Sequence, residues 1–488
     1  MPGAAAAAGA RLAETHSAVV VLLGDRAYKL KKPVDLGFLD FSTREARERM
    51  LRRELELNRR LAPDVYLGVA DVLGPDGSCC DHLLVMRRMP DDRRLAALVR
   101  AGRVTDEEVR EIARTVAAFH ARAERNEEIA RAGTPEVVAC KLERDLADLE
   151  PHAGRILPDD AFRAAAAMAR RYLAGRHPLL AARVRAGCIC DGHGDLLADD
   201  VFCLTDGPRV LDCIEFDDTL RYGDVLADVA FLAMDLERLG APELGARFLG
   251  WYGEFSGEHH PATLADYYVA FRALIRSKVA CVRAAQGDAP ATGEARRLLD
   301  LAVGHLRRGR VRVVLVGGSP GTGKTTLARG IAEAQGWALL RSDVIRKELA
   351  GLPEGADTTA ALRAGLYTEG ATAATYEELA HRARRALEYG ENVVLDASWA
   401  RVADRRRLAE IAAATASHLV ELRCDAPAAL AEARIAGRRA ADHDASDVTV
   451  DVARVLRTEA DPWPGAAVVP TDGPEPAALA RALAVVTS

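Results

Sequence analysis

The residues best equipped for chemistry lie in Gly318-Ser319-Pro320-Gly321-Thr322-Gly323-Lys324-Thr325-Thr326. Gly318 through Thr325 satisfies G-x-x-x-x-G-K-[ST], a spacing suited to binding phosphate. Glycines let the chain turn so that successive N–H groups point inward, and a helix opening near Lys324 adds its positive end. Lys324 would reach the β- and γ-phosphates of a nucleoside triphosphate, and the Thr325 hydroxyl would sit on Mg²⁺. The apolar, β-branched run Val311–Val316 before the turn supplies the strand such a loop requires. This stretch predicts ATP and Mg²⁺ as cofactors.

Further carboxylates follow at strand ends. Ala338–Arg341 reads as a short strand ending at Ser342-Asp343, with either residue as N-cap of a helix carrying Arg346 and Lys347. Ligand sites in α/β sheets lie beyond the carboxyl ends of strands, so Asp343 would face the crevice and accept the proton of an attacking hydroxyl. Arg346 would steer phosphate or an anionic acceptor. Asn392–Ser398 is an apolar strand ending in Asp396, which would hold Mg²⁺ through water or orient the acceptor. His418–Asp425 is a further strand, and a helix from about Pro427 carries Arg434, Arg438 and Arg439 into the polar segment 441–447. That spacing suits a lid, with Arg434 on the nucleotide and Arg438 on the transferred phosphate. Ala467–Pro470 and a final Ala-rich helix complete a five-strand βα array.

Near the N-terminus, Ser17–Leu23 and Ala27–Pro33 flank the turn Gly24-Asp25-Arg26 as a hairpin. Lys29 and Lys31 share one face of the second strand. The helical stretch Thr43–Ala62 follows, with Glu54 and Glu56. A strand lysine followed by a helix glutamate is how kinase folds hold the phosphate-binding lysine, which makes Lys29 and Glu54 a candidate nucleotide-binding pair. The run His82–Met86 leads into Arg87-Arg88-Met89-Pro90, read as a hinge, and from Val104 the pattern is helical. Asp195, Asp200, Asp212, Glu215 and Asp217 interrupt it beside short apolar strands. A strand-bounded acidic cluster suits Mg²⁺ with substrate phosphates, and Asp195 suits a base; turn-forming Asp residues in a hairpin are the alternative.

His193-x-Asp195-x-x-x-x-Asp200 resembles the H-x-D-x-x-x-x-N loop of the aminoglycoside phosphotransferase-like kinases. Ile214-Glu215-Phe216, Gly223-Asp224 and Asp228-Val229-Ala230 resemble their I-D-F…G-D-P…D-L-A segment. Glu14-Thr15-His16-Ser17, Ala27–Pro33, Gly37–Thr43 and Asn58–Pro63 are similar to a bacterial branch in which such a domain is fused to an ATP-binding P-loop domain. The loop's metal-ligand Asn is Asp200 here, and Leu197 stands where that branch carries a polar residue. The metal-binding Asp of I-D-F matches Glu215 directly, or Asp212 or Asp217 with a small shift. In the second half, Ser342-Asp343 with Arg346-Lys347, Val393–Ala397 and Ser446–Thr449 resemble the gluconate-kinase and polynucleotide-kinase-like branch of the P-loop fold. The resemblance implies a bilobal kinase-like domain over 1–306 (small lobe about 17–90, helical lobe about 100–306) and a P-loop domain with a five-stranded parallel sheet over 311–488.

The 488 residues, 49% apolar and 28% charged, suit a soluble chain of two or more domains. A net charge of -6 gives no basic footprint for constitutive nucleic-acid binding. Nine scattered cysteines imply no disulfide framework; Cys79-Cys80 and Cys188-x-Cys190 read as buried thiols. The N-terminus carries no signal-peptide pattern and no apolar run is long enough to span a membrane, so a cytoplasmic protein is expected. The expectation is ATP- and Mg²⁺-dependent phosphoryl transfer to a hydroxyl of a small molecule, centred on the second domain. A nucleotide-gated regulatory ATPase with a non-catalytic first domain, and a 5′-hydroxyl polynucleotide kinase, are the alternatives.

Overall fold

Ala18–Leu23 and Arg26–Lys31 pair as the expected hairpin, because the turn at Gly24 leaves two strands whose alternate residues can share one buried face. In the computed structural model, which describes residues 10–14, 18–34, 40–353, 368–441 and 449–487 (438–441 by backbone alone), they are β2 and β3 of a five-stranded antiparallel sheet. β1 (Arg11–Glu14), β4 (Tyr66–Leu73) and β5 (Cys79–Arg87) complete it in the order β1-β2-β3-β5-β4. Two of these strands carry no periodic signal. β1 is exposed along its whole length, and Gly68 and Asp71 break the alternation of β4.

The helix Arg44–Asn58 opens on Thr43, whose hydroxyl accepts the Ala46 N–H, and stops short of the expected Ala62. At its last residue the Asn58 amide donates to Glu54 O, and its Oδ1 accepts the Cys213 N–H from a distant loop. Leu51 packs with Ala62, Val65, Tyr66 and Leu84 to bind this helix to the sheet. The helical lobe follows, led by Asp106–Arg122, Pro135–Leu149, Val225–Arg238 and Pro242–Ser256. Two short antiparallel pairs interrupt it: β6 (Ile189–Asp191) with β9 (Tyr222–Asp224), and β7 (Val201–Leu204) with β8 (Gly207–Val210). Tyr267 and Tyr268 are core residues, as expected.

The second half holds β10 (Arg312–Gly317), β11 (Ala338–Arg341), β12 (Val393–Asp396), β13 (His418–Asp425) and β14 (Ala467–Pro470). They form the expected parallel sheet in the order β11-β12-β10-β13-β14. Both faces of β10 are covered, so Val313 through Val316 are fully buried, which explains a run of β-branched residues without alternation. Leu327, Ala328 and Ile331 of the helix Lys324–Gln335 pack with Ala478, Ala482 and Val486 of the helix Glu475–Val486. Because β10 is the central strand, its carboxyl end is where the strand order switches direction.

By contacts, the chain divides into one unit of Met1–Ala165, Leu180–His260 and Ala265–His305, and a second of Ala166–Leu179, Pro261–Leu264 and Leu306–Ser488. Among the described residues, no helix is long and apolar enough to cross a membrane. The thiols depart from expectation: Cys190 is buried, but Cys80 is exposed and Cys79 and Cys188 are half-buried.

Candidate active sites

In the second unit, the turn after β10 is built by three glycines at positive φ: Gly318 (133°), Gly321 (81°) and Gly323 (81°). Side chains are excluded as well as strained there: a Cβ on Gly321 would stand 2.4 Å from Ala431 O. Thr322 Oγ1 donates to Ser319 O at 2.7 Å, and Thr471 Oγ1 donates to Thr322 O at 2.7 Å, fixing the loop from within and from the residue that follows β14. The helix starts at Lys324, whose Nζ lies 3.1 Å from Ser319 O. The Thr325 hydroxyl donates to Asp396 Oδ2 at 2.8 Å, because the register sets Val316 opposite Asp396. Burial pushes the Asp396 carboxyl up, the charge of Lys324 and the Thr325 hydrogen bond pull it down, and Asp343 pushes it up again. Those four groups therefore share one electrostatic environment.

Asp343 sits in the first turn of the helix Ser342–Leu349 and accepts from Arg346 Nη1 at 3.0 Å. The expected cap is corrected: Arg341 holds the N-cap position without a side-chain hydrogen bond, so neither Ser342 nor Asp343 caps the helix. Arg434 Nη2 donates to Thr471 O at 2.7 Å, while its buried Nη1 has no hydrogen-bond partner among the described residues and lies near Gly323. A cavity of about 470 Å³ opens there, lined by Gly323, Thr326, Arg434, Thr471 and Gly473. On the other flank, a cavity of about 620 Å³ is lined by Ser319, Pro320, Ser398, Arg405 and Trp463. Trp399, fully buried at φ 51°, was not singled out from sequence, although Ser398 beside it accepts the Gly318 N–H through its carbonyl. The side chains of Arg438 and Arg439, residues 442–447 of the expected lid, Ser446–Val448 of the kinase-like motif, and Thr15–Ser17 and Gly37–Leu39 of the branch motifs lie outside the described residues.

The first unit assembles the other expected pair. Lys29 Nζ lies 2.7 Å from Glu54 Oε1 and 3.1 Å from Asp212 Oδ1. Lys31 Nζ bridges Glu54 Oε2 (2.8 Å) and Glu215 Oε1 (2.6 Å). Burial would lower the Lys29 ammonium, but Asp212 and Glu54 hold its pKa well above the usual lysine value. Of the three carboxylates left open by the register, Asp212 reaches Lys29, Glu215 is taken by Lys31, and Asp217 accepts Thr219 N and Oγ1 at a local turn. Asp212 holds a left-handed backbone (φ 63°), a costly conformation for a non-glycine, pinned by its N–H donating to Tyr66 OH at 3.2 Å.

Asp195 and Asp200 belong to the same field. Burial pushes Asp195 up to about 6, with Arg276 pulling it down and Asp212 pushing it up. Burial, then Asp212 and Asp195, push Asp200 well above the ordinary carboxylate range. Asp212, itself held below the usual carboxylate range by Lys29, raises both Asp195 and Asp200, so the three carboxylates share one electrostatic field. Arg272 and Arg276, contributed from a helix some eighty residues downstream, were not singled out from sequence, yet both charges act on Asp195.

The loop bearing Asp195 is anchored by Asp228. Its buried carboxylate accepts from His193 N (2.7 Å), Gly194 N (2.9 Å) and His120 Nε2 (3.0 Å). Burial alone would raise that carboxyl; the hydrogen bond and charge of His120, with His193, hold it well below the usual range. Asp228→Ala strands two buried amides and an imidazole, so we expect a loss of about 3 kcal/mol or more in urea unfolding. A change under about 1 kcal/mol would refute the anchoring role.

A model of a family described as "Phosphotransferase enzyme family" matches residues 11–266, and one described as "AAA domain" matches 313–462. An uncharacterized protein of Mycobacterium tuberculosis (strain ATCC 25618 / H37Rv) is 43% identical over 469 residues, 96% of this chain and 94% of the relative. One of Mycobacterium bovis is equally similar. Among solved structures, a choline/ethanolamine kinase family protein from Mesorhizobium loti is 16% identical, covering 62% of this chain and 94% of that one, at TM-score 0.38. The GDP complex of an aminoglycoside 2'-phosphotransferase-IIIa is 17% identical over 60% and 91%, at TM-score 0.37. A gluconokinase from Sinorhizobium meliloti 1021 is 19% identical over 36% and 91%, at TM-score 0.28.

Proposed function

The chain belongs to the phosphotransferase enzyme family, and from that premise we propose that it is an ATP-dependent kinase transferring phosphate to a hydroxyl of a small molecule, with its main site at the Gly318–Thr325 loop. The observation that carries this reading is the 2.8 Å contact between the Thr325 hydroxyl and the Asp396 carboxylate behind the loop. A hydroxyl and a carboxylate oxygen are the hard donors Mg²⁺ prefers, and Thr325 directly follows Lys324 in the loop. When bound, Mg²⁺ supplies charge neutralisation on the transferring phosphate.

The residues around it do the rest. The loop amides and Lys324 hold the phosphates, and the cavity beside Thr326 and Arg434 receives the nucleoside. Asp343 accepts the hydroxyl proton of the acceptor while Arg346 fixes its carboxylate at 3.0 Å. Positioning and electrostatics account for most of the acceleration in such reactions.

A second phosphotransfer site in the first unit is favoured by one specific observation, the Lys29–Glu54 contact of 2.7 Å with Asp212 alongside. On this reading Asp195 is the base, Asp200 and Asp212 hold the cation, and Glu215 and Asp217 do not. Arg272 and Arg276 make the surroundings of the base cationic, which suits an acceptor bearing phosphate or carboxylate.

The test is calorimetry with Mg²⁺ and a non-hydrolysable ATP analogue, followed by a metabolite-pool screen for acceptor-dependent ADP release. We expect two nucleotides per chain, falling to one in Lys29→Ala and to the other one in Gly321→Ala. One nucleotide in the wild type, lost in Gly321→Ala alone, would remove the second site. Hydrolysis indifferent to every added alcohol would replace the kinase by a nucleotide switch, and phosphate on a 5′-hydroxyl oligonucleotide alone would move the acceptor class.

A further inference from the structure

On the small lobe's outer flank, three different ligand types converge. One ligand atom each from Asp71, Cys79 and His82 lie within 4.8 Å of one another. Asp71 on β4 and His82 on β5 are directly opposed across the ladder, so their side chains leave the sheet on one face. Cys79 would ordinarily face the other way, being three residues from His82. It does not, because the ladder slips at this point: Val72 faces Asp81, Leu73 faces Cys79, and Cys80 is left without a partner. The bulge turns Cys79 onto the face of His82 and spends Cys80 on the Val72 carbonyl instead.

The neighbours sharpen the arrangement. His82 Nδ1 lies 3.0 Å from Asp71 Oδ1, and its Nε2 lies 4.0 Å from Cys79 Sγ and 3.4 Å from Glu48 Oε2. Arg52 occupies Glu48 Oε1 through Nε (2.9 Å) and Nη2 (2.8 Å), leaving Oε2 turned to the ring. Asp81, which would otherwise compete, is held by Arg47 at 3.0 Å. The imidazole side chain is 8% exposed while Asp71 is 62% exposed, so the site is backed by protein and open to solvent on one side.

We propose that Asp71, Cys79 and His82, each through one donor atom, bind one thiophilic divalent cation of the zinc class. Sulfur, imidazole and carboxylate at this separation are the donor set that borderline-soft metals select, and hard Mg²⁺ does not. Binding converts the Cys79 thiol to thiolate and releases its proton to solvent; nothing is oxidised or reduced. The cation would tie β4 to β5, two strands that carry none of the candidate phosphate-binding groups.

Titrating reduced, full-length protein with Co²⁺ tests this. We expect one equivalent to bind with a thiolate-to-cobalt charge-transfer band, displaced by one equivalent of Zn²⁺. The band should disappear in Cys79→Ser and in His82→Ala and persist in Cys80→Ser, the exposed neighbour. Because His82→Ala could loosen the sheet, circular dichroism of each variant is compared, and Cys79→Ser alone decides if His82→Ala unfolds. A missing band in the wild type, or an undiminished one in Cys79→Ser, overturns the site. Zn²⁺ should raise the Tm of the wild type and of Cys80→Ser but not of Cys79→Ser; an equal rise in all three would also overturn it.

Discussion

Lys324→Ala should lower turnover at the Gly318–Thr325 site on the order of 10³-fold, about 4 kcal/mol of transition-state stabilisation. On the proposed reading Lys324 is the ammonium that meets charge developing on the transferring phosphate, and removing it leaves the loop amides without that partner. The fold should not change, because among the described residues Nζ hydrogen-bonds the loop at Ser319 O alone. The loop keeps the Thr322–Ser319 and Thr471–Thr322 bonds and the Gly318 N–H to Ser398 O, and alanine favours the helix that begins there. Measured as acceptor-dependent ADP release in an Asp195→Asn background, which on the proposed reading silences the first unit, the loss should be nearly complete with Tm unchanged. Full turnover in the double variant would remove the chemistry from this loop; a large drop in Tm would show Lys324 to be structural.

The second unit was legible because its information is local. An eight-position motif fixes the loop, and strands buried on both faces read as uninterrupted apolar runs, as in Val313–Val316. What local pattern missed were choices made by backbone geometry. The register Asp212, Glu215, Asp217 stayed open because a residue at positive φ rotates its side chain off the alternation that spacing assumes. The charges of Arg272 and Arg276 act on Asp195 because the fold brings their helix near it, which no linear spacing encodes. Cys79 and His82, three apart, would face opposite ways on a regular strand, and the unpaired Cys80 reverses that. The helix after β11 was mis-capped by one residue because Ser and Asp are strong caps by propensity, yet the backbone is already helical at Ser342. Motifs made of contiguous residues survive translation from sequence to site; constellations set by a bulge or a strained turn do not.

Asp195→Asn should abolish phosphotransfer by the first unit and, in the same molecule, make the nucleotide-free protein more stable at neutral pH. The first half follows from the role of base: a positioned proton acceptor contributes about 10²–10⁴-fold, and the amide cannot take the proton. The second half follows from burial, which raises the folded carboxyl to about 6, with Arg276 opposing and Asp212 adding to the rise. A carboxyl raised above its unfolded value near 4 binds its proton more tightly in the fold. Its contribution therefore favours the folded state below about pH 4 and is lost as pH climbs through about 6. Above that, the ionised group costs the fold up to roughly 3 kcal/mol, which the isosteric amide does not incur. Thermal unfolding without Mg²⁺ or nucleotide should thus show the variant ahead of the wild type at pH 7.5 and level with it at pH 4. Loss of activity with lowered Tm at pH 7.5 would mean that Asp195 holds structure and that the proton goes elsewhere. Raised stability with activity lost would show a carboxylate kept in an unfavourable place for the sake of the reaction, which is how a site under functional constraint differs from a solvated turn.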